Sequence, residues 1–294
     1  MNNGNKKSEL LLLLVALSWG ASLPLTKLII NDIGIFTLLF FRFSIGGIIT
    51  ASVFFKTLKK TKFKTLLGSF VLALLMSSVN ILETWGLQFT SSTNAAFLSG
   101  LSLCIVPVLS FFLYKNMPGK RFWIGSAFAL IGFYFLTAGD KGITSLNIGD
   151  LSILLSAFVY AFYIVLIDKL IKSEESVVTG IYVLIFSALI YMVLMLIPDP
   201  FPINFSGRLT TVVLITSIVC TAFAYCGHII AQKSITSIRT ALILMTEPIF
   251  TTIFSLIIPD STGAVETLSF FKILGIVFMT AGMITAEFGH LTKN

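Results

Sequence analysis

Trp123-Ile124-Gly125 followed by Gly132, and Ile273-Leu274-Gly275 followed by Gly282, are the two stretches that decide the fold. Each sets two glycines seven residues apart in an apolar run, near the end of one half of the chain. One apolar segment earlier, each half carries a proline inside such a run, Pro107 and Pro248. A unit with an odd number of membrane spans, repeated in tandem, must lie in the bilayer in opposite orientations, which is how many secondary transporters are built.

The rest of the chain agrees with a membrane protein. Of its 294 residues 56% are hydrophobic and 11% charged, with a mean hydropathy of +0.98, against roughly 25% charged in a soluble domain. The expected fold class is an all-α polytopic membrane protein with ten transmembrane helices in two inverted five-helix repeats, residues 1–140 and 147–294. A span needs about 20 apolar residues, and segments 10–30, 35–55, 66–87, 95–114, 122–138, 151–170, 177–197, 211–231, 240–258 and 268–287 supply them. No room is left for a separate soluble domain. The first segment follows Lys6 and Lys7 as a signal peptide would, but it stays apolar through Trp19 and Pro24, so a retained helix is expected. Cys104, Cys220 and Cys226 lie in apolar segments and read as small core side chains rather than a disulfide framework.

Charge gives the orientation. With the N-terminus inside, fifteen of the twenty Lys and Arg residues fall on inner segments and four on outer ones, Lys27, Lys141, Arg208 and Lys272, while Arg42 lies within a span. This satisfies the positive-inside rule with both termini cytoplasmic in the cell membrane. It also accounts for the net charge of +7, so no nucleic-acid partner is inferred. Aligning the halves across the loop 139–147 sets Asn94 opposite Arg239, Pro107 opposite Pro248 and Gly125 opposite Gly275. The spacing from Asn94 to Pro107 exceeds that from Arg239 to Pro248 by four residues, about one helical turn.

Further motifs carry a family likeness. They are Trp19-Gly20-Ala21-Ser22 in the first segment, Phe41-Arg42-Phe43 in the second, Thr90 to Ala96 opening the fourth and Gly149-Asp150-Leu151 opening the sixth. The ninth adds Arg239 through Ala241 and then Glu247-Pro248. In their order and spacing the chain resembles the drug/metabolite transporter superfamily, in particular its EamA-type ten-helix members. That resemblance implies two helix bundles around a central cavity, transport of small metabolites and alternating access. Glu83 departs from it, because an uncharged residue is expected in the third helix.

Candidate site residues follow from what a bilayer tolerates. Pro24, Pro107 and Pro248 lack an N–H and leave the carbonyl four residues earlier unpaired, so they are expected to interrupt their helices near a midplane site. A kink relieved by packing is the alternative. Ionisable side chains within a span cost about 2.5–3.5 kcal/mol at its centre and usually face a bundle interior or a wet cavity. Arg42 is expected to serve structure by pairing with Glu83. Glu83, beside Thr84 and Trp85, combines an anion, a hydroxyl and an aromatic face suited to an ammonium group. Glu247 reads as lying two turns into a helix begun by Arg239, a residue that opposes the helix dipole there and asks for a partner. Glu83 and Glu247 are the candidates for proton or charge coupling.

Tyr225 and His228 share one face of the eighth helix, and Trp19, Tyr160 and Tyr163 lie on the first helix of each half. Trp19 and Tyr160, at equivalent positions, are expected to line the cavity. Asn80, Thr84 and Asn94 would supply orienting hydrogen bonds. Gly125, Gly132, Gly275 and Gly282 read as close-packing positions that could serve internal packing or a homodimer. No metal or cofactor is implied, and the partners expected are membrane lipids and a small-molecule substrate.

The function expected is secondary transport of small metabolites, amino acids or related compounds, by export or exchange. A carrier of phosphorylated, nucleotide-sugar or lipid-like cargo would want more cations in its cavity. An enzyme is not expected: Gly149-Asp150 lies at a span boundary without a partner motif, and neither a nucleophilic-serine motif nor His-Glu-x-x-His occurs.

Overall fold

A computed structural model describes residues 3–58, 61–114, 119–138, 147–170, 176–197, 203 and 205–291. The mid-chain loop 139–146 lies outside these residues, as do Lys59, Lys60, Lys115, Lys141, Lys172 and Lys293 among the cations that set the orientation. In chain order the helices are α1 (Asn3–Ile29), α2 (Ile35–Val53), the single turn α3 (Phe55–Leu58), α4 (Phe63–Gly86), α5 (Ser92–Gly100), α6 (Ser102–Tyr114) and α7 (Lys120–Ala138). They continue with α8 (Ile148–Leu170), α9 (Ser176–Leu194), α10 (Gly207–Ser217), α11 (Ala224–Gln232), α12 (Ser237–Leu244), α13 (Glu247–Ser255) and α14 (Phe270–Leu291). No strand occurs among the described residues. This is an all-α polytopic membrane protein. Among the described residues, seven stretches are long and apolar enough to cross a bilayer, counting α5 with α6 as one and α10 through α11 as another. The expected segments 122–138, 240–258 and 268–287 coincide with α7, with α12 plus α13, and with α14.

Lipid leaves backbone polar groups no water partner, so each break in a helix must be satisfied locally. Three occur. Between α10 and α11 the chain winds one π-helical stretch, Ile218–Phe223. Between α5 and α6 it turns at Leu101, whose N–H reaches Leu98 O at 3.2 Å. Between α12 and α13 it turns at Met245 and Thr246, where Pro248 cannot donate to Leu244 O. The prolines therefore do not act alike. Pro24 and Pro107 lie inside continuous helices, and only Pro248 stands at an interruption. The break in the first half lies at Leu101, six residues before Pro107, so Pro107 is not the counterpart of Pro248.

What does match is the start of each broken crossing. Ser91 Oγ caps α5 by accepting from Asn94 N, and Thr236 Oγ1 caps α12 by accepting from Arg239 N. Asn94 and Arg239 thus hold the same third position of their helices, and the spacing mismatch disappears once the prolines are uncoupled.

The glycine pairs meet each other. A Cβ on Gly132 would come 2.7 Å from Gly275 O and 2.6 Å from Met279 N, and one on Gly282 would come 2.5 Å from Gly125 O and 2.8 Å from Ala129 N. The contact is reciprocal and antiparallel, so α7 and α14 form one seam. Gly86 and Gly149 make a second close crossing, of α4 with α8. There Asn147 and Asp150 cap α8 in both directions, Asn147 N donating to Asp150 Oδ2 at 3.1 Å and Asp150 N to Asn147 Oδ1 at 3.0 Å. The Gly149-Asp150 motif is therefore a helix start. The remaining core gathers around Trp19, Phe43, Tyr163, Tyr191 and Tyr225, while Phe63, Leu196 and Ile257 are among the large apolar side chains presented outward, as a lipid-facing surface requires.

Candidate functional site: a central polar cavity

A cavity in the middle of the bundle is lined by α1, α2, α4, α5, α8, α11, both sides of the α12–α13 break, and Ser102 at the start of α6. Its walls carry Trp19, Ser22, Thr26, Arg42, Asn80, Glu83, Thr84, Ser99, Tyr160, Tyr225 and Glu247. Both broken crossings reach it with an end and a start: Gly100 and Ser102 in one half, Leu244 and Glu247 in the other. Half-helix ends expose unpaired carbonyls and half-helix starts expose N–H groups, which is how transporter sites obtain polar contacts inside lipid. Glu247 is accordingly not two turns into a continuous helix. It opens α13, where the positive end of the helix dipole faces its carboxylate.

Gly20 brings α1 against this start; a Cβ there would stand 3.1 Å from Thr251 N and 3.2 Å from Glu247 O. The neighbouring Trp19 then reaches the cavity and donates its indole N–H to Cys220 O at 3.1 Å, inside the π-helical stretch. Trp19 meets the rings of Tyr225 and His228, both with centroids at 5.4 Å, and of Tyr160 at 6.2 Å. Asn80 and the Tyr225 hydroxyl bond each other, 2.8 Å from Nδ2 and 3.0 Å to Oδ1, and Nδ2 also donates to Met76 O.

Arg42 does not form the expected ion pair with Glu83. Its guanidinium is buried and donates to Ser22 Oγ at 3.0 Å, Thr26 Oγ1 at 3.3 Å and Thr221 Oγ1 at 3.4 Å, while its Nε has no protein acceptor. Three hydroxyls hold the side chain without neutralising it. Gly46, one turn along α2, leaves room for the π-helical stretch that supplies Thr221; a Cβ there would be 3.1 Å from Ser217 O and 3.3 Å from Ala222 N. Glu83 lies beside the hydroxyls of Ser99 and Ser156 and within reach of the Arg42 charge, and Glu83 and Glu247 feel each other's charge. Among the described residues the cavity wall thus holds two carboxylates and one cation, none in an ion pair.

Other expected site residues lie elsewhere. His228 and Tyr163 are wholly buried behind the wall with His228 Nδ1, His228 Nε2 and the Tyr163 hydroxyl unpartnered, their rings 5.8 Å apart. Trp85 packs on Phe89. Asn94 serves the α5 start, and Arg239 forms an ion pair with Glu9 of α1 at 2.5 Å, the partner its helix position called for. Ser22, Thr26, Ser99 and Gly100 line the cavity without having been expected there. For Ser22 the signal was available, since it lies three residues from Trp19 on one helix face.

The space open to water measures about 70 Å³, roughly five times what one water needs. Polar ties lie towards both ends. At the distal end, which carries loops 30–34, 87–91 and 256–269, Lys27 Nζ donates to Leu87 O and Thr90 O, and Glu266 Oε1 accepts from Thr93 N. At the N-terminal end Asp168 accepts from Ser237 N and from the Gln232 amide.

The comparisons agree with this architecture. The model of the EamA-like transporter family matches residues 6–138 and again 147–286. Two proteins of Archaeoglobus fulgidus described as uncharacterized transporters are similar to the chain. One is 31% identical over 55% of this chain and 49% of its own length, so the chain spans about half of that relative. The other is 27% identical over 95% of this chain and 96% of its own. The uncharacterized transporter YyaM of Bacillus subtilis is 27% identical over 71% of this chain and 68% of its own. A solved crystal structure with 14% sequence identity superposes with a TM-score of 0.71 over 96% of this chain and 97% of its own, which shows the fold. With the family matched over nearly the whole length, the chain belongs to the EamA-like transporter family.

Proposed function

We propose that this membrane transporter is a secondary carrier of small zwitterionic metabolites, amino acids or related compounds, working across the cell membrane by alternating access in export or exchange. The observation that carries the reading is the presence of both charge signs, unpaired, on one small cavity wall: Arg42 held by hydroxyls, and Glu83 and Glu247 facing the same space. A carboxylate fits the guanidinium, and an ammonium fits the two carboxylates and the faces of Tyr160 and Trp19. When no ammonium is present, a proton on Glu83 or Glu247 relieves their mutual repulsion, which supports exchange of substrate against protons.

Two inverted five-helix halves would rock about this site. The reading is supported by the reciprocal α7–α14 seam and by the matched caps of α5 and α12. With fifteen cations on one side against four, the termini are assigned to the cytoplasm. Phosphorylated or lipid-like cargo is disfavoured, because among the described residues Arg42 is the one Lys or Arg on the cavity wall.

Counterflow of labelled amino acids into liposomes holding the purified protein tests the proposal. Accumulation of some members of a panel and not others is the expected result. No accumulation of any, from protein shown to be folded and inserted, overturns the amino-acid reading in favour of phosphorylated or lipid-like cargo.

A further inference from the structure

Lys27 stands two residues before the end of α1, and Asp168 two residues before the end of α8. The interval between them is 141 residues, the same as between Trp19 and Tyr160, whose rings meet at the cavity wall. They therefore hold corresponding places in the first helix of each half, at opposite ends of the bundle.

Each ties its helix to the chain entering or leaving the broken crossing of its own end. The Lys27 ammonium has three protons and finds three carbonyls, Leu87 O at 2.5 Å, Thr90 O at 3.0 Å and Gln88 O at 3.5 Å. These follow the C-terminal end of α4, the negative end of its dipole, and lead into α5. Asp168 accepts from Ser237 N at 2.8 Å, at the positive end of α12, and from Gln232 Nε2 at 3.0 Å. Gln232 Nε2 in turn donates to Ile164 O at 2.7 Å. The charges differ because the helix ends differ: a cation suits a helix C-terminus and an anion an N-terminus. Both ties reach the cavity through residues of its wall, Leu87 on one side and Ile164 on the other.

We propose that Lys27 and Asp168 are corresponding latches at the two mouths of the cavity, and that each mouth opens by release of its own latch while the other holds. The proposal rests on the alternating-access reading above and assigns its two closures to named groups. With Lys27 engaged, α1, the 87–91 loop and α5 move as one body. With Asp168 engaged, α8, α11 and α12 do. Charge-assisted bonds of this kind break singly at modest cost, whereas both together hold the occluded arrangement.

The test is side-specific labelling of the cavity. In a chain with Cys104, Cys220 and Cys226 replaced by alanine, Ser99→Cys places one thiol on the wall. Its modification by a membrane-impermeant thiosulfonate is followed from each face of oriented vesicles. Lys27→Met is expected to raise the rate about tenfold or more from the face carrying the 87–91 loop, the effect of losing its charge-assisted hydrogen bonds, and to leave the other face unchanged. Asp168→Asn should do the mirror image, and Lys27→Arg, which keeps the donors, should stay slow. Equal acceleration from both faces, or from neither, overturns the proposal. If Lys27→Met fails to insert, Lys27→Leu and, at the other mouth, Gln232→Leu carry the same test. Side-specific labelling without counterflow of any amino acid keeps the latches and removes the substrate reading; counterflow with labelling unchanged by either variant does the reverse.

Discussion

At the residue scale, the cavity concentrates groups that a bilayer tolerates only where they act. Glu83 and Glu247 touch the same space, so Glu83→Gln and Glu247→Gln are each expected to lower counterflow by tenfold or more, about 1.4 kcal/mol or above for a charged contact. Insertion and thermal stability should stay at the parent level, and normal transport by both variants would remove the carboxylates from the mechanism. Tyr225→Phe tests a different link. It removes the hydroxyl that completes Asn80 and leaves a buried amide short of a partner, so a stability loss of about 1–3 kcal/mol is expected in denaturant titrations. Among these residues, Trp19, Asn80, Glu83, Thr84, Tyr160, Tyr225 and Glu247 were legible in the sequence, because polar and aromatic side chains in apolar runs have few other uses. His228 and Tyr163 were misplaced by one layer. The same chemistry that suits a cavity wall also suits a ring cluster behind it, and a helical wheel separates the two by only some tens of degrees.

At the element scale, the seven crossings long and apolar enough to span a bilayer among the described residues were legible from apolar length alone, and the glycine pairs from their spacing. The breaks were misread. Ser99-Gly100 marks a turn just before Leu101, whereas Pro107, the more obvious breaker, is absorbed within α6. The π-helical stretch Ile218–Phe223 has no sequence mark, since its cause is tertiary: α2 approaches at Gly46, Trp19 takes the Cys220 carbonyl, and Arg42 takes the Thr221 hydroxyl. Deleting one residue within 218–223 is expected to restore a regular helix, turn Thr221 away from Arg42 and abolish transport, with helix content by circular dichroism unchanged. In the distal loop, the Thr262 hydroxyl and N–H, with Ala264 N, hold the Asp260 carboxyl below the usual carboxylate range. Its folded pKa is depressed, so the contribution of this turn is complete above about pH 4 and fades only as pH falls through the lowered value. Protection of the Thr262 and Ala264 amides, taken against the intrinsic exchange rate at each pH, should therefore hold down to mildly acid pH and fall below it; loss of protection already near neutrality would contradict this.

At the scale of the whole molecule, a central cavity with a tie towards each end suits the carrier proposed above. Flux should therefore follow conformational steps of microseconds to milliseconds or slower and saturate with substrate, never reaching the open-pore regime; a linear, unsaturable flux would contradict the arrangement. The α7–α14 seam lies apart from the cavity, with glycine set against backbone on both sides. A leucine at Gly282 has no space to enter, and Gly282→Leu is expected to cost about 1–3 kcal/mol or more by forcing the helices apart. Because that contact is reciprocal, each half of the chain carries a surface whose complement is the other half. Two separate polypeptides, one ending at 138 and one starting at 147, are therefore expected to find each other in a bilayer, and their co-production should restore a working carrier without the covalent link.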